Sequence, residues 1–409
     1  MTLTINPERF KQDFEALAEI GSTGDGGVSR PALSQAHLDA QRFWMRRAAA
    51  AGLETSLDGA GNVSAVLRSP NPPAKTLLLG SHTDSVVAGG RFDGALGVLA
   101  ALEAVRTLKE SGQEFPVHVE AIDFNDEEGT LAGLLGSKGL AGTLTPDSLK
   151  APRGGRAYAL EALARAGLSE AGLLTARRDP ATLAGYLELH IEQGPRLWRR
   201  GIAIGVVDNI MGIRSYKLTF QGQANHAGTT PMTERYDAGL GAAAYLLAAR
   251  ERVVRDFPAC TINFGMAQFG PGAFNIIPDR AELALEFRAP TVAEHDALQA
   301  RLLSLAESTA AAHGLSLVAE PYGRYEAAPM SARAQAAFSR AAESLALSHI
   351  PLSSGAGHDG QSLAHLCDCG MIFIPSRDGI SHSPREHSEW DDCVNGANVL
   401  LRAALIMMS

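Results

Sequence analysis

His82, Asp84 and Asp93 fall within residues 80–94, which read Gly-Ser-His-Thr-Asp-Ser-Val-Val-Ala-Gly-Gly-Arg-Phe-Asp-Gly. A His and a carboxylate delivered from a strand end and a helix start can share one metal ion. Asp84, two residues after His82, is placed to orient the imidazole from behind. Alone, a His-x-Asp pair is more often a plain strand end, so the reading needs partners. An alternating stretch at 117–123 supplies them, because it ends in Phe124-Asn125-Asp126-Glu127-Glu128-Gly129. Adjacent extended residues point to opposite sides, so Glu128 can bind metal while Glu127 faces a water. His190, in Leu187-Glu188-Leu189-His190-Ile191-Glu192-Gln193, and His382, in Gly379-Ile380-Ser381-His382-Ser383-Pro384-Arg385-Glu386, complete the set. The result is two groups of three donors, His82, Asp93, His190 and Asp93, Glu128, His382. A two-metal hydrolytic centre bridged by Asp93 requires such a set.

These residues must be carried by strand ends that meet. The apolar run at 76–79 feeds His82, and an Ala/Leu/Val-rich helical pattern leaves Asp93 over 95–109. Helical patterns at 7–20 and 34–51, the second with Ser34 as N-cap, precede short strands at 54–57 and 62–67 with Asp58-Gly59 as turn. Strands alternating with helices imply a largely parallel sheet, whose ligands gather at the strands' carboxyl ends. Residues 131–183 are Gly/Ala-rich loops with one or two helices. From 210 to 325 the pattern changes: strand 214–221, helix 236–257, strands 261–269 and 279–288, helix 293–313 and strand 315–320. That β-α-β-β-α-β order is the ferredoxin-like signature. The chain then returns, with helices at 332–347 and 394–408 and a strand at 371–374, so that His382 can rejoin the other donors. The expected domains are 1–209 with 326–409, and an inserted lid at 210–325.

The bulk properties agree with this and exclude other classes. At 409 residues, two domains are the better expectation. A net charge of −9 without basic runs argues against nucleic acid and against an anionic membrane surface. No apolar stretch reaches a membrane span, and the N-terminus lacks a signal-peptide pattern. Cys260, Cys367, Cys369 and Cys393 are scattered, which fits free thiols in a reducing cytoplasm.

Three further positions admit two readings each. His226, in Gln223-Ala224-Asn225-His226-Ala227-Gly228, is a capping His or a hydrogen-bond donor to an oxyanion. Asn275 is a turn residue or an amide offered to a substrate. Arg288, at the end of a strand, is a surface ion-pair partner or a planar fork for a carboxylate; Arg214 and Gln193 are weaker candidates of the same kind. Gly355-Ala356-Gly357-His358-Asp359 can bring backbone amides such as that of Gly357 to an anionic group. The remaining histidines, His37 among them, carry no motif and read as surface or packing residues.

From about Ser22 to Ser388 the motifs occur in an order that resembles the co-catalytic metallopeptidase-like amidohydrolases. More narrowly, the chain is similar to their hydantoinase/carbamoylase branch, which holds N-carbamoyl-L-amino-acid hydrolases, allantoate amidohydrolases and β-ureidopropionases. The resemblance implies a zinc-peptidase-like α/β domain with an inserted ferredoxin-like lid that pairs lid to lid in a homodimer. It implies Glu127 as general base, His226 as oxyanion donor, Asp84 as support for the metal ligands, and substrate contacts at Gln193, Arg214, Asn275, Arg288 and Gly357. The expected cofactor is two divalent ions per subunit, zinc or manganese, cobalt or nickel. The expected substrate is a small ureido acid, an N-carbamoyl-L-amino acid giving amino acid, CO2 and ammonia. Allantoate is the alternative, and an N-acyl-amino-acid or peptide bond the more distant one. Trp198 and Ser85 depart from the branch pattern, and neither is a proposed ligand.

Overall fold

The structure, a computed structural model, describes residues 3–71 and 73–409. The chain divides into two compact units, one formed by Asn209–Ala328 and the other by the segments before and after it.

In the unit built from the two outer segments, strands run in the order Glu54–Leu57, Val63–Leu67, His118–Phe124, Thr76–His82, Leu183–Ile191, Cys369–Ile374, Ile204–Ile210. The central four are mutually parallel, and antiparallel partners flank them. Thr76–His82 is buried almost throughout, as the Leu-rich sequence requires of a strand covered on both faces. The helix Ala95–Glu110 is buried on every side, and its Ala, Leu and Val residues join one core with Trp44, Phe10, Phe14, Leu189 and the closing helix Trp390–Met408. A smaller core gathers Leu33, Leu135, Leu163 and Leu173, and in it the Gly/Ala-rich stretch resolves into the helices Leu135–Ala141, Arg156–Ala166 and Glu170–Thr175. The strands Leu183–Ile191, Ile204–Ile210 and His349–Ser354 are not among those the sequence pattern marks. Among the described residues no helix is long and apolar enough to cross a membrane.

The helix Gln35–Ala50 shows how local rules operate here. Ser34 caps it by accepting the His37 amide, and the buried His37 accepts the Leu33 N–H at Nδ1, 3.0 Å away. Burial, reinforced by the Arg30 charge, pushes the His37 pKa down to about 3. The folded imidazole therefore stays neutral where the unfolded one takes a proton. Stability is intact above the unfolded pKa of about 6.5 and falls below it, by up to ~1.4 kcal/mol per pH unit. His37→Asn keeps an acceptor near the Nδ1 position and removes this loss. Denaturant midpoints at pH 7 and pH 5 should thus converge or cross in the variant's favour, and parallel pH profiles would refute the assignment.

The second unit has the element order strand Gly212–Gln221, helix Ala238–Asp256, strands Thr261–Gly270 and Arg280–Ala289, helix Val292–Ala312, strand Ser316–Tyr325. Its four strands are antiparallel in the spatial order fourth, first, third, second. Along Arg280–Ala289 burial alternates strictly, so Leu283, Leu285 and Phe287 pack against the helices and Glu286 and Arg288 take the other face.

Candidate functional site

The parallel strands deliver their carboxyl ends together, as doubly wound sheets do. His82 is the last residue of its strand, Glu127 and Glu128 follow the end of His118–Phe124, His190 is near the end of Leu183–Ile191, and His382 lies in the loop after Cys369–Ile374. The ligand atoms of His82, Asp93 and His190 lie within 4.8 Å of one another, and so do those of Asp93, Glu128 and His382. Asp93 offers a different oxygen to each group. Its Oδ1 is 3.6 Å from His82 Nε2 and 3.1 Å from His190 Nε2, and its Oδ2 is 3.3 Å from His382 Nε2. Glu128 Oε2 stands 3.6 Å from His382 Nε2, whereas Glu127 Oε2 stands 3.6 Å from His82 Nε2. The two adjacent acids thus reach opposite groups.

These donors fit divalent cations. His82 Nδ1 and His190 Nδ1 face the carbonyls of Asp84 (3.0 Å) and Ile191 (2.9 Å). A proton held on each Nδ1 leaves the Nε2 lone pairs turned into the cluster. Gly94, at φ +63°, starts the buried helix, and a Cβ there would come within 2.4 Å of the His82 ring. Burial, followed by the neighbouring Asp359, Glu128, Asp84 and Asp93 charges, raises Glu127 well above the usual carboxylate range. Burial and Asp93 push Glu128 up to about 7. Burial also acts on Asp93, but the His190 and His382 imidazoles beside it outweigh it and hold that carboxyl well below its ordinary value. Buried carboxylates at this density are relieved by cations, and nitrogen and oxygen donors without thiolate suit zinc, manganese, cobalt or nickel. A third buried group, Glu188, His190 and His358, is already satisfied. Ser81 and Tyr186 donate to Glu188 at 2.8 and 2.9 Å, and His358 Nε2 pairs with Ser354 at 2.9 Å.

The structure changes how Asp84 supports His82. The carbonyl of Asp84, rather than its carboxylate, orients His82; the carboxylate is 3.7 Å from Nδ1 and instead accepts the amides of Glu127 and Glu128, each at 3.2 Å. Asp84 therefore aims the acidic loop. Arg214 is 2% exposed and bonded to Asp296 at 2.7 Å and Gln299 at 2.8 Å on the helix Val292–Ala312. Its i, i+2 neighbours lead to buried Leu218 and Phe220, a signal already present in the alternation.

Asp126, the first of the three acids, is structural, since its carboxylate caps the amides of Leu131 and Ala132. Gln193 Nε2 lies 2.7 Å from Asp93 Oδ2, and its Oε1 is buried without a hydrogen-bond partner among the described residues. Gly357 is half-buried beside His358. In the second unit, His226 and Ile276 form an isolated bridge that brings His226 next to Asn275, both exposed. His226 Nδ1 accepts the Gly228 and Thr229 amides at 3.0 and 3.2 Å, which leaves Nε2 as the N–H. Arg288 is half-buried, with Glu286 Oε1 2.7 Å from its Nη2. Ser381 and Glu386, which lie in the His382 motif but were given no role there, also enter the site through Asp93.

Residues 78–406 match the model of peptidase family M20/M25/M40, and the chain belongs to that family, which is metal-dependent. It is 38% identical to an N-carbamoyl-L-amino acid amidohydrolase of Geobacillus stearothermophilus over 97% of both chains. It is 32% identical to an allantoate amidohydrolase of Bacillus subtilis over 92% of this chain and 91% of that one. A crystal structure of a hydantoinase/carbamoylase family amidase from Burkholderia multivorans superposes with a TM-score of 0.89 at 34% identity, covering 100% of this chain and 99% of the other.

Proposed function

We propose that this protein hydrolyses a linear, non-peptide carbon–nitrogen bond of a small ureido acid, first an N-carbamoyl-L-amino acid, with release of amino acid, CO2 and ammonia. The observation that carries this reading is the single carboxylate of Asp93 shared between two donor groups, with Glu127 at their edge. Similarity to the carbamoyl-amino-acid and allantoate enzymes over nearly the whole chain supports the substrate class.

His82, Asp93 and His190 would hold one ion, and Asp93, Glu128 and His382 the other. When bound, two divalent ions supply Lewis acidity for a carbonyl oxygen and lower the pKa of a water. Glu127 takes a proton at its carboxylate from the attacking water and returns it to the departing nitrogen. His226 donates from Nε2 to the oxygen that gains negative charge. Arg288, its guanidinium oriented by Glu286, and Asn275 bind the substrate's carboxylate and amide, and the unpartnered Oε1 of Gln193 suits a substrate N–H. The unit that carries His226 acts as lid and dimer contact, and the protein works as a cytoplasmic homodimer. The thiols, with no disulfide among the described residues, support that compartment.

Ammonia release from ureido acids, and free amino-acid release from N-acetyl amino acids and dipeptides, measured on the metal-loaded enzyme, test the reaction. N-carbamoyl-L-amino acids are expected to be turned over fastest, their N-acetyl counterparts and dipeptides slowly or not at all. Faster turnover of allantoate would move the assignment to the alternative substrate, and preference for peptides would sink it.

A further inference from the structure

The loop that carries His382 and the loop that carries Asp93 are joined by one carboxylate. Glu386 is 4% exposed, and its Oε1 accepts the backbone N–H of Phe92 at 2.9 Å and that of Asp93 at 3.1 Å. Its Oε2 accepts the Ser381 hydroxyl at 2.8 Å. The Glu386 amide in turn donates to the Ser383 carbonyl at 2.9 Å, closing a tight turn directly after His382. The path is open to that carboxylate only because residue 90 is glycine: a Cβ there would lie 1.9 Å from Glu386 Oε1.

The hydroxyl of Ser381 has one proton and two acceptors within reach, Glu386 Oε2 at 2.8 Å and Asp93 Oδ2 at 3.1 Å. The shorter contact draws the proton to Glu386, so Ser381 adds no second donor to Asp93 Oδ2, which already accepts the Gln193 amide at 2.7 Å and keeps its other lone pair for a cation. The two donor groups also differ in how they are held. His82 and His190 belong to central strands, with side chains 2% and 1% exposed. His382 has a side chain 51% exposed, sits at φ +52° and is carried by a loop. A non-glycine residue in the left-handed region persists only where its surroundings hold it there, and the contacts of Glu386 supply that hold.

We infer that Glu386 is a positioning residue, which joins the Asp93 and His382 loops and so holds the ion bound by Asp93, Glu128 and His382 more than its neighbour. This rests on the two-ion reading of the site. The test is ion stoichiometry and affinity by equilibrium dialysis of full-length protein against Zn²⁺, with thermal unfolding of the metal-free form as a check on folding. The wild type should bind two ions. Glu386→Ala should keep one and bind the other roughly 10–100-fold more weakly, as His382→Ala loses the same ion. Glu386→Gln retains a carbonyl oxygen for the two amides and should fall between Ala and wild type.

Two ions bound at wild-type affinity by Glu386→Ala, equal weakening of both, or a Gln variant no better than Ala would each overturn the inference. If Glu386→Ala does not fold, Ser381→Ala replaces it, with weakening of the same single ion expected and no change contradicting the assignment. A wild type that binds fewer than two ions would refute the two-ion reading itself. A two-ion wild type with an unaffected Glu386→Ala refutes the positioning role alone.

Discussion

Replacing Asp93 with Ala is expected to strip both ions from the protein and abolish turnover, the largest effect of any single substitution in the chain. The reason is geometric: Asp93 Oδ1 belongs to the His82/His190 group and Oδ2 to the Glu128/His382 group, so one side chain serves two sites. Each site then loses a direct ligand, a heavier loss than the ~10–100-fold in affinity that follows removal of an outer hydrogen-bond partner. The two histidine controls should behave differently. His82→Ala should lose the ion of its own group and keep most affinity for the other, and His382→Ala the reverse. Metal analysis of the three purified variants decides the matter. An Asp93→Ala protein that retains one ion at wild-type affinity would show that the carboxylate is not shared.

Glu127→Gln should lower turnover by roughly 10²–10⁴-fold while two ions stay bound and KM changes little. Glu127 and Glu128 are adjacent, both amides are held by the Asp84 carboxylate, and their side chains reach opposite donor groups. Glutamine preserves the shape of Glu127 and removes its ability to take a proton, so a loss confined to kcat marks a base rather than a ligand. If instead Glu127→Gln lost an ion and Glu128→Gln kept both, the two roles would have to be exchanged. The same variant tests the proposed dimer. His226 lies in a different compact unit from Glu127, and lid-to-lid pairing would carry it into the other subunit's site. Co-expression of Glu127→Gln with His226→Ala, and isolation of heterodimers by two tags, should then rebuild one complete site with about half of wild-type activity, because base and donor come from different chains. An inactive heterodimer would mean that His226 serves its own chain.

What the sequence determined by itself follows from local physics. An apolar run buried on both faces had to be a central strand, so the His after it had to emerge at a carboxyl end, and the same held for the acids after 118–124. The glycines that space His82, Asp84 and Asp93 set them apart from a periodic face, and two of them, Gly90 and Gly94, make room for the Glu386 carboxylate and the His82 ring. The period-2 pattern of strand Gly212–Gln221 even contained the burial of Arg214, since Leu218 and Phe220 share its face.

Tertiary structure alone decided the rest. Asp93 and His382 are hundreds of residues apart, and nothing in either motif says which oxygen meets which imidazole; that depends on how parallel strands order themselves across the sheet. Nor does a His-x-Asp spacing tell whether the carbonyl or the carboxylate turns toward the ring, because both lie within reach until the acidic loop docks and claims the carboxylate with two amides. The link from Glu386 to the Asp93 backbone is of the same kind. It joins loops brought together only when the strand Cys369–Ile374 has paired beside Leu183–Ile191, and a hydrogen bond to a main-chain amide leaves no mark on the side chain it positions.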